Sequence, residues 1–566
     1  MEFRLASAAF IVVFAAYLFL GGMGVTDRNN PDPRDAGYNL LARGLLSGHL
    51  YVDREVPQVL ARLKDPFDPV ANTVARVGPA YRLHDLSYYR GRLYLYFGVA
   101  PALFVFIPWH LLTGGWLPHW AAVVLLCSGG LLVNLLLVRS IRLSAFPDTP
   151  AWMTAVSTLI LGLGSYAPLL AARADMWEIP IAFCYLSVSI ALRCLWEALE
   201  RPERPAKWLA LASAAFGAAF AARPNVLPGA AILLFPFACA AIRGNPRAWL
   251  SAVLPLALCG AGVGLYNDLR FGSPFDFGMR YQLAGVYVAR LRAFSADYVP
   301  TNLWFYLFQG VRWSPVFPYA HEPPDPVVPP GHGGTEHISG ALLNSPILWA
   351  ALAVPIFIRT RRPGRGVALI ALSAAWAALS ALILLSFFFG ACSRYQFEFV
   401  PELALLASIG VMAMESARPA RLRSLLRIAW VPALAFSSAF PVLYGIDRCA
   451  SDHNYLGISR IVERNIPGAI HEFDTAQFLS PGNPFSRLGS AIILIGERKP
   501  ADAENVLQSL VRDFPDYTMG HFALANLLKG EGRRDEAIVH FRAAHRLDPD
   551  NAIIGKAMDA APAAAR

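Results

Sequence analysis

Charge is scarce in this chain. Asp, Glu, Lys and Arg make up 16% of its 566 residues, against 55% hydrophobic residues and a mean hydropathy of +0.42. A soluble domain of this length does not carry that balance, so a multi-pass membrane protein is expected. Metal-spaced cysteines are missing as well. None of the seven cysteines has the paired spacing that holds zinc. Cys127, Cys184, Cys194, Cys239 and Cys259 fall in apolar runs and read as core thiols. Cys392 and Cys449 fall in outward segments, where a disulfide is chemically possible. A cleavable signal is also missing. The run 3–25 has a short basic flank and no small-residue cleavage pattern, so it reads as a first spanning helix with its N-terminus inside. The net charge of +9 has no patch to act through, because the basic residues sit largely at helix ends. Membrane orientation and lipid headgroup contact account for them, and no nucleic-acid partner is expected.

What the chain does have is arginine in every second gap between its apolar runs. The clusters are Arg139 and Arg142; Arg201, Arg204 and Lys207; Arg243 and Arg247; Arg359, Arg361, Arg362 and Arg365; and Arg418, Arg421, Arg423 and Arg427. Basic residues in short loops stay cytoplasmic, so these gaps face the cytosol and the alternate gaps face outward. Eleven spans are expected, near 4–25, 118–138, 150–172, 178–196, 208–223, 227–242, 248–266, 341–358, 367–389, 396–414 and 428–446. The run 94–112 is short, aromatic and interrupted by Pro101 and Pro108. Spanning would turn every later arginine cluster outward, so it reads as a helix at the outer interface. The expected fold is all-α: a polytopic membrane helix bundle of about eleven spanning helices over 1–446, with extracytoplasmic interfacial helices. Two long outer loops, 26–116 and 267–340, gather the polar residues, and loops of this size are more often functional than connecting. Polar residues gather there rather than mid-helix, which disfavours a transporter.

Beyond residue 445 the sequence repeats every 34 residues. Ala469, Ala503 and Ala537 keep that spacing, as do Phe473, Leu507 and Phe541; Ala476, Leu510 and Ala544; and Pro481, Pro515 and Pro549. A small residue lets paired helices approach, a large one fills the groove, and Pro closes the unit. This is the tetratricopeptide (TPR) period. Three units are expected, 450–483, 484–517 and 518–551, followed by a capping helix from Ala552 that Pro562 ends. They form a C-terminal α-solenoid within 450–566. Leu524, Ala525, Leu528 and Gly532 make the third copy the most regular, and the first keeps Leu456–Gly457. Three units are about the minimum for a stable stack. The odd number of spans puts this domain outside.

Chemistry is expected in the outward segments. The first long loop opens with Asp27, Asp32 and Asp35, then Tyr38 and the apolar Leu40, Leu41, Leu45 and Leu46. That pattern reads as an amphipathic helix on the membrane surface with a carboxylate at its start. Such a carboxylate can accept a proton from a hydroxyl or ligate a divalent cation. Asp also favours helix starts and turns without any further role. The stretch 81–98 holds Tyr81, Arg82, His84, Asp85, Arg90, Arg92 and Tyr96. It fits an interfacial aromatic belt, and it equally fits a site for a lipid-borne phosphate with Arg82, Arg90 or Arg92 as anion partner. Arg173, Asp175, Trp177 and Glu178 crowd a very short outward turn. Arg223-Pro224-Asn225 occupies the next outward gap and is weak alone. The second long loop begins Asn267, Asp268, Arg270, then Arg280 and Tyr281. It ends with His321, Glu322, His332, Glu336 and His337, whose histidines have no metal spacing and read as solvated. Arg394 and Glu398 stand i, i+4 around Tyr395, an ionisable pair at the membrane boundary and hence a functional candidate.

These segments together resemble the C-type membrane glycosyltransferases (GT-C), the superfamily of protein O-mannosyltransferases and lipid A aminoarabinose transferases. The resemblance spans roughly 1–445. It rests on the architecture, the acid-then-Tyr start of the first outer loop, the Tyr-Asn…Arg-Phe-Gly…Arg-Tyr stretch, and the late Arg-Tyr…Glu-Phe…Pro stretch. It implies an enzyme that moves a sugar from a polyprenyl-phosphate carrier to an extracytoplasmic hydroxyl or amine, with inversion. The implied acid is Asp35, with Asp32 nearby. Arg34 stands where such enzymes often carry a first acid. Asp175 or Glu178 resembles a second acidic position, and Arg394 suits the carrier phosphate. The remaining implied substrate contacts are Tyr38, His84, Asp85, Arg173, Asn267, Arg280, Tyr281, Tyr395 and Glu398. A divalent cation (Mg or Mn) is an implied cofactor. Membrane lipids, and a protein partner or acceptor on the repeats, are implied partners, and a bacterial cytoplasmic membrane the implied location. The competing reading is a non-catalytic membrane scaffold, or lipid-glycan handling protein, that recruits partners through its repeats.

Overall fold

The computed structural model describes residues 2–24, 32–76, 83–323, 326–417, 419–549 and 552–559. Asp27, Tyr81, Arg82, Arg418 and Pro562 lie outside the described residues. The chain divides into two compact units. One is Met1–Arg312 with Glu322–Gly445, and the other is Trp313–His321 with Ile446–Arg566.

Among the described residues, six helices are long and apolar enough to cross a membrane: Glu2–Met23, His119–Ala145, Glu178–Glu200, Pro246–Phe271, Arg365–Ser386 and Ala420–Val462. They fall on six of the eleven expected spans. Glu178–Glu200 is the central one, with 83% of its apolar window enclosed by protein, against 17% for the peripheral Pro246–Phe271. Leu250, Leu254, Leu258 and Leu265 project outward from the latter, as lipid-facing residues do.

The other five expected spans are shorter or interrupted, and local chemistry explains most of them. The run 150–172 is two helices, Met153–Gly162 and Ala167–Ala172. Tyr166 between them has φ +68, a left-handed conformation that breaks the helix. Its buried hydroxyl donates to the carbonyls of Ser339 and Gly340, which fastens the second outer loop to the break. Pro224–Ala238 is a 3-10 helix, because Pro228 and Pro236 remove the donors an α-helix needs. The Pro228 carbonyl accepts a hydrogen bond from the Trp376 indole instead. The run 341–358 becomes Ala341–Asn344, a 3-10 segment Pro346–Leu352, and Ala353–Arg361. Ala206–Ala222 and Val400–Glu415 are continuous but short, at 17 and 16 residues.

The run 94–112 starts as a strand. Leu86–Tyr89 and Arg92–Leu95 form an antiparallel hairpin, turned by Arg90 and Gly91, both at positive φ. A bulged π turn, Ala102–Phe106, then leads into Ile107–Thr113. At about 1.5 Å per residue, these twelve helical residues are too short for a bilayer core of about 30 Å. The helix Gly37–Leu46 was expected on the membrane surface. Instead Gly37 to Ala42 are all buried in protein, because both its apolar Leu40 and Leu41 and its polar Asn39 find partners there.

In the second unit, helices start at residues 466, 500 and 534, and their partners at 484 and 518, which is the 34-residue spacing. Ala469, Ala503, Ala537, Phe473, Leu507, Phe541, Ala476, Leu510 and Ala544 are all buried. The closing helix is Ala552–Asp559. Two of the outer-loop histidines expected to be solvated prove enclosed. His321, in the second unit, donates from Nδ1 to Asp447 Oδ1 at 2.8 Å, and Ser480 Oγ donates to the same oxygen at 2.8 Å. In the first unit, His337 pairs with Glu322 at 2.8 Å. Half-buried His332 shares a hydrogen bond with Asn302 at 2.9 Å and accepts one from Gly334 N–H. Neither Cys392 nor Cys449 is in a disulfide.

Candidate functional site

The first unit contains a cavity of about 580 Å³, and short outward segments supply its polar end. After the hairpin, Tyr96, Phe97 and Gly98 pass close to the end of helix Ala206–Ala222. Gly98 N–H donates to the Ala222 carbonyl at 3.2 Å, and a side chain at Gly98 would collide with that backbone. Arg223 follows at the C-terminus of that helix, where its positive charge meets the helix dipole. Ser393–Gln396 presents Arg394 and Tyr395, and the turn before Glu178–Glu200 presents Trp177. Arg223, Asn225, Arg394, Tyr395, Trp177 and Tyr96 line the polar end.

The two lining arginines are oriented by carboxylates, of which Glu398 is buried and Glu336 partly exposed. Glu398 accepts from Arg223 and, at 2.6 Å, from Asn225 Nδ2. Glu336 accepts from Arg394 through one oxygen and from Arg173 through the other. Both lining guanidiniums lie over the Tyr395 ring, at 5.6 Å for Arg223 and 5.1 Å for Arg394, and Arg173 lies over Trp177 at 5.1 Å. Guanidinium keeps its charge under all ordinary conditions, so two fixed cations face the cavity.

The remaining walls are apolar: Phe97, Leu227, Pro228, Phe277, Met279, Phe294, Leu384 and Phe388. Three of them, Pro228, Phe294 and Leu384, also line a second, apolar groove of about 320 Å³ with Trp376, Ile383 and Phe387. That groove runs along helix Arg365–Ser386, whose Leu379, Ile383 and Phe387 are exposed. The site therefore has a cationic, aromatic head and an adjoining apolar groove beside exposed apolar side chains.

Of the residues singled out in the sequence, Tyr96, Trp177, Arg394 and Tyr395 line this cavity. Arg173 and Glu398 stand one contact behind it. Asp85, at φ +64, accepts from Trp177 Nε1 at 2.8 Å, with His84 at 3.8 Å from its other oxygen. Tyr38 donates its hydroxyl to the Gly98 carbonyl at 3.3 Å. Asp175 and Glu178 are buried. Glu178 lies 3.8 Å from Arg173 and accepts from the Asp175 N–H at 3.2 Å. Asp32 caps a short 3-10 turn by accepting from Arg34 N–H. Asp35 is 57% exposed and 3.5 Å from Arg43, which binds Asp53 more closely at 2.7 Å. Asn267 accepts from Arg270, which also donates to the Leu95 carbonyl and so ties the helix end to the hairpin. Arg280 is paired with Asp276, and Tyr281 packs on Tyr89 at 4.5 Å. Asp32, Asp35, Asn267, Arg280 and Tyr281 are not among the lining residues.

Four partners escaped the sequence reading. Arg223 and Asn225 were visible only as a weak gap. Glu336 drew no reading of its own. His119 begins an apolar run after Pro118 and gave no signal. Tyr38 N–H donates to His119 Nε2 at 3.4 Å, which places the proton of the neutral ring on Nδ1, 3.7 Å from Asp175 Oδ1. Burial pushes the Asp175 carboxyl up, but hydrogen bonds from His119 and from Met176 N–H, with the charge of Arg173, outweigh it and hold it below the usual carboxylate range. No cluster of three metal-ligating side chains is found among the described residues. The candidate carboxylates turn to guanidinium, imidazole and backbone partners, so they do not form the oxygen cage that Mg or Mn requires.

The helices and repeats define a multi-pass membrane protein with C-terminal tetratricopeptide units. Residues 519–551 match the family model for the tetratricopeptide repeat. No curated protein matches the chain in sequence. Among solved structures, the chain is similar to ArnT from Cupriavidus metallidurans bound to undecaprenyl phosphate, at 14% identity and a TM-score of 0.38, over 91% of this chain and 80% of that one. For the same protein in the apo state the values are 15% and 0.39, over 91% and 79%. Yeast Tom70 matches at 14% and 0.19, over 70% and 73%.

Proposed function

We propose that the protein is a membrane glycosyltransferase that takes a sugar from a polyprenyl-phosphate carrier and passes it to an extracytoplasmic acceptor. The observation that carries this reading is the join between the cationic head and the apolar groove through Pro228, Phe294 and Leu384. A lipid phosphate has that same polarity along its length, and the aromatic faces of Tyr96, Trp177 and Tyr395 suit a sugar ring between the two ends.

In this reading Arg394 and Arg223 hold the phosphate. When the anomeric C–O bond breaks, its electron pair stays on the phosphate oxygen, and the guanidiniums stabilise that charge in place. The acceptor attacks the opposite face of the sugar, which inverts the anomeric carbon. Its proton passes to a carboxylate. Asp35 is the proposed base, connected to the cavity through Tyr38 of the helix that follows it and the Gly98 carbonyl. Asp32 shapes the turn that carries Asp35. Asp175 and Glu178, held by His119 and Arg173, fix the turn that carries Trp177. The N-terminus lies in the cytoplasm and the repeats outside, where they meet a protein partner or acceptor. A scaffold role is the second reading. It draws on apolar side chains exposed on the second unit, Val462, Phe478 and Val539.

The test compares cell-envelope glycans and glycoproteins by mass spectrometry for wild type, Asp35→Asn and Arg394→Ala at equal membrane levels. A sugar-sized mass present in wild type and lost in both variants is expected. Identical spectra for all three, in cells where deleting the gene alters the envelope, refute the transferase and leave the scaffold.

A further inference from the structure

One carboxylate from the second outer loop pairs with an arginine that lines the cationic end of the cavity. Glu336 lies in the short strand Thr335–Glu336, which pairs in parallel with Ala391–Cys392, opposite Cys392. That register sets it beside Arg394, two residues further on. Backbone bonds just before it hold the strand in place, from Gly333 N–H to Phe389 O at 2.6 Å and from Ala391 N–H to Gly334 O at 3.2 Å. Each carboxylate oxygen takes one guanidinium, Arg173 on one side and Arg394 on the other. The arginines are 15% and 13% exposed and Glu336 is 31% exposed, so the carboxylate is the outermost of the three.

Each arginine at this end already has a carboxylate partner: Arg173 and Arg394 share Glu336, Glu178 lies 3.8 Å from Arg173, and Arg223 is paired with Glu398, while Asp85 stands behind Trp177. A ligand must share Arg394 with a fixed negative charge, and the penalty rises with the ligand's own charge. A sugar joined through phosphate to a polyprenol is a phosphodiester carrying one negative charge. The carrier left after transfer is a monoester whose second ionisation falls near pH ~6, so it carries close to two at neutral pH.

We propose that Glu336 is a specificity-determining residue that makes the Arg394 end of the cavity favour the monoanionic sugar donor and reject the dianionic spent carrier. This rests on the polyprenyl-phosphate reading above. Glu336 thereby promotes product release through like-charge repulsion, while Arg394 still meets the donor.

The test uses the full chain in detergent with two probes on one prenyl group, farnesyl phosphate and its methyl diester. Dissociation constants are measured for wild type, Glu336→Gln and Glu322→Gln at about pH 8 and about pH 5.5, on either side of the phosphate's second ionisation. Wild type should bind the diester about tenfold more tightly than the monoester at the higher pH, equal to about 1.4 kcal/mol. The preference should shrink at the lower pH, where both probes are monoanions. Glu336→Gln should bring the ratio close to one at both pH values. Glu322→Gln removes a charge from the same loop at a carboxylate paired with His337, and should leave the ratio at the wild-type value. A Glu336→Gln ratio equal to wild type overturns the proposal, as does an equal change in Glu322→Gln. If Glu336→Gln does not fold, the wild-type ratio decides alone: no change between the two pH values overturns the proposal. If neither probe binds any form, the polyprenyl-phosphate reading fails and this one falls with it. Tight binding of both probes without discrimination removes only the role of Glu336.

Discussion

Replacing Gly98 with alanine puts a methyl group where the end of a neighbouring helix already stands. The added carbon would lie 2.6 Å from the Ala222 carbonyl oxygen, and closer still to that of Ala221, where ordinary contact needs about 3.4 Å. Both obstacles are backbone, so no side chain can swing aside. The strand must retreat by most of an ångström, which costs ~1–3 kcal/mol in strain. Retreat also lengthens the bond from Gly98 N–H to Ala222 and the one from Tyr38 to the Gly98 carbonyl, each worth ~0.5–1.5 kcal/mol. The sum is about 2–6 kcal/mol, and the shift moves Tyr96 and Phe97 away from Arg223 in the same step. Gly22→Ala is the control: it lies in helix Glu2–Met23 with nothing within 4 Å of the added carbon. Thermal unfolding of the detergent-solubilised protein should show Gly98→Ala melting several degrees below wild type, with weakened prenyl-phosphate binding, while Gly22→Ala melts at or above wild type. Equal midpoints for Gly98→Ala and wild type would refute the close approach that frames the cavity.

Burial holds the His332 imidazole below its ordinary value of 6.5. Its contribution to stability is therefore complete above about 6.5 and is lost as pH falls through that value toward the lower folded one, because only the unfolded ring takes up a proton there. The unfolding midpoint should drop between about pH 7.5 and 5.5 in wild type and drop less in His332→Gln; parallel profiles would contradict this. In the second unit, Phe541 is fully buried and packs on Phe522, so Phe541→Ala should cost about 3–5 kcal/mol. Repeats this few depend on their neighbours, so limited proteolysis should expose the whole span 484–549 together rather than the third unit alone.

The repeats were legible because a 34-residue period needs no long-range information: it states directly which residues meet. The long helices were legible for the same reason, since hydropathy over about 20 residues is a local property. The breaks were not. Nothing in 150–172 signals that Tyr166 takes a left-handed conformation, because its hydroxyl partners lie in a loop more than 170 residues away. The site was half legible. Arg394 and Tyr395 announced themselves as charge and aromatic at a membrane boundary. Their partner Glu336 drew no reading of its own and the histidines of the same loop read as solvent-facing, since polar residues among Pro and Gly carry no periodicity. What encloses His321 is Asp447, 126 positions later. Asp35 drew attention by its spacing to Tyr38, yet spacing says nothing about exposure, and the residue that reached His119 was Tyr38.

The second unit takes its residues from two separate stretches, Trp313–His321 and everything from Ile446 onward. The boundary is therefore crossed three times, and no single cut can remove the repeats cleanly. A chain shortened after Gly445 would lose Asp447 and Ser480 but keep His321, leaving an imidazole and its neighbouring Ala320 bare. Loss of activity in such a truncation would be ambiguous between a missing partner-binding surface and a damaged loop. A faithful removal of the repeats has to take the nine residues from Trp313 to His321 with them and rejoin Arg312 to Glu322.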